Sequence, residues 1–305
     1  MIYTITLTPA IEKRVRGKMK DEITFEGEGF TYNCAGVGIK VSKYLSHYKI
    51  ENTAAFVCGV NASPFILQEL NHRGIKSIHM ETNAKTPYHV LLIDEQENCR
   101  CMDEENQQVD DIQLQLFQSI LIPQIQEKAV SILEYNLNHL SYKRMDEFYH
   151  SLYAKSEVMI CDLHPDYFPI LKEKPANVLV LNESQMLSYM QKDKYPLSEI
   201  MDVISQAFTP MAKIIVYTIA VNDFILFFEK ERYRVVCSIK NPHAKIYKEA
   251  LLCGILKCYM EDGDLNKLSK ECITMSVATS ISDGLFLPSD ELIEEIVKSI
   301  NVYRL

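Results

Sequence analysis

The segment NCAGVGIKVSKYL, residues 33–45, holds the residues whose types and spacing come nearest to a ligand site. Gly36 and Gly38 stand just before a run with helical spacing of apolar residues, namely Ile39, Val41 and Leu45. Glycine lets a main chain approach a phosphate closely, and the backbone amides at a helix N-terminus attract anions. Two glycines alone are a weak motif, however, and a purely conformational role is the favoured interpretation. The segment is therefore either a phosphate cradle or a packing turn.

Other short motifs of catalysis or metal binding are missing from the sequence. It contains no GxxxxGK[ST], HExxH, GxSxG or CxxC. Cys99 and Cys101 would face the same way on a strand, but no second pair or nearby histidine completes a zinc set. Nine cysteines at irregular spacing are typical of reduced thiols rather than a disulfide framework. We therefore predict no metal site formed by cysteine or histidine.

Length and composition predict a globular protein. The chain has 305 residues, of which 47% are hydrophobic and 24% charged. Its formal net charge of −9, with scattered basic residues, argues against a nucleic-acid partner. No apolar run approaches the roughly 18 residues of a membrane span, and the first basic residues follow the first apolar run, unlike a signal peptide. These features predict a cytoplasmic protein without a membrane partner.

Glycine is scarce and unevenly placed. The chain has 10 glycines, and none lies between Gly74 and Gly254. A main-chain turn that wraps a phosphate usually needs glycine, because any Cβ crowds the approach. The long middle of the chain is therefore a poor place to expect such a turn.

The pattern of apolar residues predicts strands and helices in alternation. An opening strand is followed by a charged stretch with β-prone pieces, residues 12–32, that we interpret as a projecting flap. A buried strand around 54–58 precedes a helix with Ser63 as N-cap, Pro64 as first residue and Gly74 at its end. The segment PYHVLLIDEQENCRCMD predicts a hairpin that could pair with the flap.

Further along, four short apolar runs are typical of a buried parallel sheet: AVSILEYNL, SEVMICDL, ANVLVLN and AKIIVYTIA. A late antiparallel hairpin and three helices, residues 246–260, 265–282 and 289–300, complete the chain, the last helix with Ser289 as cap. We therefore predict one α/β domain over 1–305, with a small β lid formed by about 12–32 and 86–108.

This order of elements, together with two short motifs, resembles the PfkB/ribokinase family. The segment TPAIE, residues 8–12, is similar to Asn-Pro-Ala-Ile-Asp, and CAGVGIKV, residues 34–41, to Pro-Gly-Gly-Lys-Gly-Ile-Asn-Val. Asp162 stands where a strand-end aspartate is usual, and LLCGIL, residues 251–256, resembles a helix near the active site. The likeness is to the branch of 1-phosphofructokinase and tagatose-6-phosphate kinase. It implies a ribokinase-like three-layer α/β/α sandwich, ATP and Mg²⁺ as cofactors, and a phosphosugar substrate.

The resemblance also locates the family's catalytic turn, which is altered in this chain. The family uses Gly-Ala-Gly-Asp at a helix start, with amides for the transferring phosphoryl group and an aspartate as base. Here the matching residues are Ile246-Tyr247-Lys248-Glu249. Because no nearby residue is glycine, no shift of the alignment restores the turn. Glu249 remains a weak candidate for the base, and Lys248 a candidate for nucleotide binding.

On the sugar side, the resemblance assigns Glu12, Gly36, Gly38 and Lys40 as candidate binding residues. Several have changed type: Glu12 stands for an aspartate and Lys40 for an asparagine. The arginine that contacts the sugar phosphate in the family corresponds to Pro87, so its fork of donors is missing.

On the nucleotide side, the resemblance assigns Asn182 and Thr218. Asn182 is retained, but the glutamate three residues later, which the family links to magnesium, is Gln185. The family's glycine turn near the nucleotide phosphates corresponds to residues 218–223 and ends at Asp223, which would repel ATP.

Three hypotheses follow. We favour a degenerate family member that keeps the fold for binding or partner contact without efficient phosphoryl transfer. The alternative is an active, divergent kinase in which Glu249 is the base and lysines such as Lys40 or Lys248 replace lost contacts. The third is an unrelated α/β protein with a chance likeness at its start. A lid with free strand edges also predicts a homodimer through the lid.

Overall fold

The computed structural model describes residues 1–20, 24–94, 99–104, 109–228, 231–239, 248–261, 263–281 and 289–305. These residues form two compact units, residues 1–126 (unit 1) and 127–305 (unit 2). The single-domain organisation over 1–305 stays a prediction. Within the described ranges, no helix is long and apolar enough to span a membrane.

Unit 1 combines three parallel strands, three helices and a separate small sheet. Its elements are β1 (Ile2–Thr6), β2 (Ala10–Met19), β3 (Phe25–Ala35), α1 (Val37–His47), β4 (Asn52–Gly59), α2 (Ser63–His72), β5 (Lys76–Thr82), β6 (Tyr88–Ile93), β7 (Cys99–Asp103) and α3 (Asp111–Leu121). Strands β1, β4 and β5 pair in parallel, and α1 packs against β1 and β4. Every residue of β4 is buried, as a strand covered on both faces requires.

The small sheet confirms the predicted lid. Its strand order is β3-β2-β6-β7, so the flap and the predicted hairpin pair with each other. The turn of that hairpin, residues 95–98, lies outside the described residues. Because side chains alternate along a strand, one face of the lid carries four buried residues, Glu12, Arg14, Leu91 and Ile93. The opposite face carries three exposed apolar residues, Phe30, Tyr32 and Met102.

The helix after β4 differs from its prediction at one end. Ala62, not Ser63, is the N-cap of α2, and no side chain caps the helix. Ser63 is already helical, and its buried hydroxyl has no hydrogen-bond partner among the described residues. The predicted N-cap is therefore wrong, because an N-cap residue has extended backbone while its hydroxyl accepts an amide of the first turn. The predicted end is confirmed, since Gly74 adopts φ of 67° and the amide of Ile75 donates to the Leu70 carbonyl.

Unit 2 contains one seven-stranded sheet within the described residues. Its elements are β8 (Ala129–Tyr135), α4 (Tyr142–Lys155), β9 (Ser156–Leu163), α5 (Ile170–Glu173), β10 (Ala176–Asn182), α6 (Glu183–Met190), α7 (Leu197–Val203), β11 (Ala212–Ala220), β12 (Asp223–Phe228), β13 (Glu231–Cys237), α8 (Lys248–Met260), α9 (Leu265–Ile281), α10 (Asp290–Lys298) and β14 (Ile300–Arg304). Strands β8 to β11 pair in parallel and β11 to β14 antiparallel, in the order β14-β13-β12-β11-β10-β9-β8.

This order confirms the four predicted parallel strands and the late hairpin. The three predicted closing helices are also present, and Ser289 caps α10 through the amide of Leu292. The predicted start of α8 at Ile246 lies outside the described residues. The predicted last helix was too long, because Ile300 belongs to β14, which pairs with β13. In parallel strands the carboxyl ends meet at one edge, so the residues that end β8 to β11 are brought together in unit 2.

Candidate functional site

The two glycines at the start of α1 are fixed by packing against β1. Gly36 is the N-cap of α1 with φ of 111°, and a Cβ there would lie 2.6 Å from Thr6 Cγ2. A Cβ on Gly38 would lie 2.5 Å from Thr6 Oγ1 and 3.1 Å from the Ile5 carbonyl oxygen. The backbone amide of Ile39 donates to Thr6 Oγ1 at 3.1 Å. One amide of the predicted cradle is therefore used inside the fold, which supports the conformational role.

Beside this turn, Glu12 is enclosed by two cations. Glu12 and Arg14 are both buried, with side chains on the same face of β2 because they are two residues apart. Arg14 Nε donates to Glu12 Oε1 at 2.6 Å, and Lys40 Nζ on α1 lies 3.2 Å from Glu12 Oε2. Each carboxylate oxygen thus has a cationic donor. The cluster therefore places one guanidinium and one ammonium around a single buried carboxylate.

The segment around Pro87, which the resemblance aligns with an arginine of the family, anchors the lid. Thr86 Oγ1 accepts from the Gly59 amide at 2.7 Å, and the Thr86 amide donates to Asn61 Oδ1 at 3.0 Å. The Pro87 carbonyl accepts from the Ile11 amide at 2.9 Å, where β2 begins. These backbone contacts hold the base of β6 against β2 and leave no guanidinium at position 87.

In unit 2, Asp162 is the centre of a buried polar network. Asp162 lies at the end of β9 with its side chain fully buried, and Lys248 Nζ, from the start of α8, lies 2.7 Å from its Oδ2. Gln185 Nε2 donates to Asp162 Oδ1 at 2.7 Å. The same amide nitrogen lies 2.9 Å from both Asn136 Oδ1 and the Leu163 carbonyl oxygen. Both oxygens of the carboxylate are therefore held by donors of the protein itself.

Asn182 and Gln185 form a capping box at the start of α6. Asn182 Oδ1 accepts from the Gln185 amide at 2.8 Å, and Gln185 Oε1 accepts from the Asn182 amide at 2.9 Å. This pairing fixes which end of the Gln185 side chain is oxygen, so its NH₂ group must face Asp162. The side chain of Asn182 is engaged in the cap.

Glu134, at the end of β8, is a second buried acid in this network. It accepts a hydrogen bond from Asn136 Nδ2 at 3.2 Å. Burial, followed by the negative charge of Asp162, raises the pKa of the Glu134 carboxyl to about 7. The charges of Lys248 and Glu249 also act on Glu134, so these groups lie close together. The network therefore holds three carboxyl groups and one ammonium group.

Lys248 and Glu249 are the first two described residues of α8. Glu249 is buried in the first turn of the helix. Residues 240–247, which include Ile246 and Tyr247 of the predicted catalytic turn, lie outside the described residues. What the structure does show is that the Lys248 side chain extends to Asp162.

Thr218 and the turn after it are tied into the sheet. Thr218 is buried next to Asn182 in the parallel register of β10 and β11, and its Oγ1 donates to the Leu181 carbonyl at 3.1 Å. The turn joins β11 directly to β12, and Ser276 Oγ of α9 donates to the Val221 carbonyl at 2.9 Å. The structure thus brings Asn182 and Thr218 together, but as parts of the framework.

Asp223, which was expected to repel ATP, has a partner. Arg234 on the adjacent strand donates to both of its oxygens, through Nη2 at 2.6 Å and Nε at 3.1 Å. A bidentate pair of this kind largely neutralises the carboxylate. The repulsion is therefore weaker than the sequence suggested.

Solved structures of sugar kinases have the same fold as this chain. Phosphofructokinase-2 from Escherichia coli, solved with potassium, matches with a TM-score of 0.84 at 13% identity, over 97% of this chain and 98% of that one. A possible 1-phosphofructokinase from Thermotoga maritima matches with a TM-score of 0.81 at 14% identity, over 100% and 99%. A carbohydrate kinase from Agrobacterium tumefaciens gives 0.69 at 12%, over 100% and 99%. The predicted ribokinase-like fold is confirmed.

Comparison by sequence identifies no related protein. No protein-family model matches the sequence, and no curated protein matches it. The comparisons therefore show the fold alone, and the chemistry has to be argued from the site.

The residues of unit 2 do not fit the magnesium ion that this fold implies. Mg²⁺ binds oxygen ligands with near-octahedral geometry and is usually held by one or two carboxylates. Asp162 already has a donor on each oxygen, one of them the ammonium of Lys248. Gln185 turns its NH₂ group toward Asp162, and its only oxygen is used in the capping box. A metal ion here would have to displace both groups.

Three members of these clusters were missed in the sequence: Arg14, Glu134 and Asn136. Glu134 did carry a signal, because a lone acid near the end of the apolar run AVSILEY breaks the pattern of a buried strand. Arg14 also carried one, since it is two residues from Glu12 on a strand. Asn136 carried no such signal, because its role depends on a contact with Gln185, which is far away in the sequence.

Proposed function

We propose that this chain is a degenerate PfkB-type protein that binds a phosphosugar and has little or no kinase activity. The observation that carries the proposal is the network around Asp162, in which the Lys248 ammonium and the Gln185 amide are both bound to the same buried carboxylate. In the family, the start of this helix stabilises the transferring phosphoryl group. Here Lys248, the first described residue of the helix, is already paired with Asp162.

Charge supports the same proposal. Phosphoryl transfer needs positive groups and amides around the migrating phosphoryl group. The described residues of the network contribute three carboxyl groups, Glu134, Asp162 and Glu249, against the single ammonium of Lys248. Among the described residues, the acids of this set outnumber its single cation, which disfavours a nucleotide polyphosphate.

The sugar side of the proposal rests on unit 1. Arg14 and Lys40 both contact Glu12, so this cluster brings a guanidinium, an ammonium and a carboxylate together, which are the groups that recognise an anionic ligand with hydroxyls. The family reaction uses fructose 1-phosphate or tagatose 6-phosphate, and one neighbour, phosphofructokinase-2 from Escherichia coli, was solved with fructose-6-phosphate. A sugar bearing one phosphate combines hydroxyls for Glu12 with an anion for the cations, so we propose this ligand class.

One observation favours the alternative of an active, divergent kinase. Glu249 is a buried carboxylate in the first turn of α8, where the helix dipole stabilises a negative charge. A carboxylate held in this way could accept the proton of a sugar hydroxyl.

Calorimetry and an ADP-release assay separate the two functions. The ligands are Mg-ATP, fructose 1-phosphate, fructose 6-phosphate and tagatose 6-phosphate, each tested alone and with nucleotide. We expect heat from a phosphosugar and no ADP release above background. Turnover that is lost in Glu249→Gln, but kept in the exposed control Glu294→Gln, would establish the active kinase instead. Failure of every phosphosugar to bind would overturn the proposed ligand class.

We also propose that the protein is a cytoplasmic homodimer formed through the lid. One face of the lid carries Phe30, 60% exposed, in ring contact with exposed Tyr32 on the edge strand β3, and exposed Met102 lies on the same face at the opposite edge. Exposed apolar side chains at both edges of one face favour burial against a second copy. Light scattering coupled to size exclusion should give twice the monomer mass for the wild type and the monomer mass for Phe30→Asp. Ile112→Asp, at an exposed apolar residue on α3, is the matched control and should stay dimeric.

A further inference from the structure

The strongest unexplained feature of unit 2 is the charge balance at Asp162. Its side chain is 0% exposed, while that of Lys248 is 19% exposed. A buried carboxylate loses several kcal/mol of hydration and is stable only with a counter-charge and hydrogen bonds. Among the described residues, Lys248 is the cation that forms a salt bridge with Asp162. The counter-charge therefore comes from the protein.

The position of Lys248 is unfavourable by local rules. It is the first residue of α8 as the structure describes that helix, and the positive end of a helix dipole disfavours a cation. Lys40 occupies a comparable place in the first turn of α1, where it also pairs with a buried acid. A residue placed against its local preference indicates a tertiary role, which for Lys248 is its bond to Asp162.

Gln185 contacts the other oxygen of Asp162 and also suits a site in which the protein supplies the counter-charge. A glutamate at this position would place a second charge against Asp162 and would need a further cation between them. The amide instead donates to Asp162 and keeps its oxygen in the cap of α6. Compared with a glutamate, Gln185 lacks a negative charge, and Lys248 supplies a positive one. Asp162 and Lys248 therefore form a neutral pair.

From these contacts we infer that the Lys248 ammonium is the resident cation of this site and has taken over the charge-balancing role of a divalent metal. The protein is therefore metal-independent at Asp162. Removal of the ammonium group creates a requirement for a divalent cation there. This inference concerns the same site as the proposed function, but it does not depend on whether the protein transfers a phosphoryl group.

Thermal unfolding of the full chain tests the inference. We expect the wild-type Tm to be equal in EDTA, in millimolar MgCl₂ and in millimolar MnCl₂. Lys248→Met keeps the stem and removes the charge, so it should lose about 10 °C in EDTA and recover at least half of this in MnCl₂. Lys257→Met changes a second lysine of α8 and removes its partly exposed salt bridge with Glu271 of α9. It is the matched control and should show no metal dependence.

A second variant covers the case in which Lys248→Met does not fold. The double variant Lys248→Met with Asp162→Asn removes both charges, so it should fold in EDTA and show no response to metal. Electron paramagnetic resonance should detect one bound Mn²⁺ per chain in Lys248→Met and none at this site in the wild type or the double variant.

Two results would overturn the inference. One is a wild-type Tm that rises with Mg²⁺ or Mn²⁺, and the other is a Lys248→Met variant that loses stability without any rescue by metal. ADP release plays no part in these readouts. The inference can therefore fail while the proposed function stands, and the reverse is also possible.

Discussion

Units 1 and 2 each bury an acid against a lysine from the start of a helix, yet the two clusters have opposite net charge. In unit 1, Glu12 is shared by Lys40 and Arg14, so one carboxylate faces two cations. In unit 2, Asp162 pairs with Lys248 while two further acids, Glu134 and Glu249, lie close by. The same pairing of a buried acid with a lysine therefore occurs in a cluster that favours an anion in unit 1 and in a cluster that repels an anion in unit 2.

The backbone around the two clusters differs as well. Unit 1 keeps Gly36 and Gly38, and both are required by the contact between α1 and Thr6. Unit 2 has no glycine between its first residue and Gly254, so its described residues preceding α8 all carry a Cβ. A glycine that packing requires is kept whether or not a ligand binds beside it. The retained turn in unit 1 is therefore weak evidence for binding by itself.

Among the variants that keep Lys248, the largest effect should come from Gly38→Ala, which tests whether packing fixes this turn. The new Cβ would lie 2.5 Å from Thr6 Oγ1 and 3.1 Å from the Ile5 carbonyl oxygen, so α1 has to shift. We expect a loss of about 3 kcal/mol in the free energy of unfolding, measured in urea. Gly29→Ala, which meets no atom within 4 Å, is the control and should change stability by less than about 0.5 kcal/mol. If Gly38→Ala is stable but no longer binds phosphosugar, the turn is a ligand cradle.

Much of the fold could be predicted because its signals are local. The runs ending at Tyr135, Leu163, Asn182 and Ala220 are short, apolar and separated by amphipathic helices, which is the pattern of buried parallel strands. Gly74 ended α2 as predicted, because glycine adopts the positive φ of a helix end without a steric penalty. Ser63 was misassigned, since the chain entered the helix one residue earlier and left the hydroxyl in the first turn.

The clusters themselves could be predicted only in part. Glu12 and Lys40 were named from the resemblance, but the bond between Lys248 and Asp162 joins residues 86 positions apart. A contact of that kind depends on tertiary packing, and no spacing rule in the sequence reports it. The same holds for Gln185, whose neutral side chain looked like a simple loss until its amide was found against Asp162.

An intermediate effect should come from Glu134→Gln, which tests how strongly negative the cluster in unit 2 is. The pKa of Glu134 is raised from 4.5 to about 7, so the folded state binds this proton more tightly than the unfolded chain. Stability from this group is present below about pH 4.5 and is lost as the pH rises toward 7. We expect Glu134→Gln to be more stable than the wild type by up to about 3 kcal/mol at pH 8, and nearly equal to it at pH 5.

Urea unfolding at both pH values measures this difference. Glu199→Gln, an exposed acid in the first turn of α7, is the control and should leave the pH dependence of the wild type unchanged. A Glu134→Gln variant that is less stable than the wild type at pH 8 would mean that the ionised carboxylate is satisfied in the fold.

The smallest effect should come from Lys40→Met, which compares the two lysines directly. Glu12 keeps Arg14 when Lys40 is removed, whereas Asp162 keeps no described cation when Lys248 is removed. Loss of one of two partners should cost about 1 kcal/mol of unfolding free energy, against about 3–5 kcal/mol for an isolated buried charge. Urea unfolding of Lys40→Met and Lys248→Met in EDTA gives both values. Equal losses would show that Arg14 does not compensate Glu12, and the cluster in unit 1 would then lack the excess positive charge on which phosphosugar binding depends.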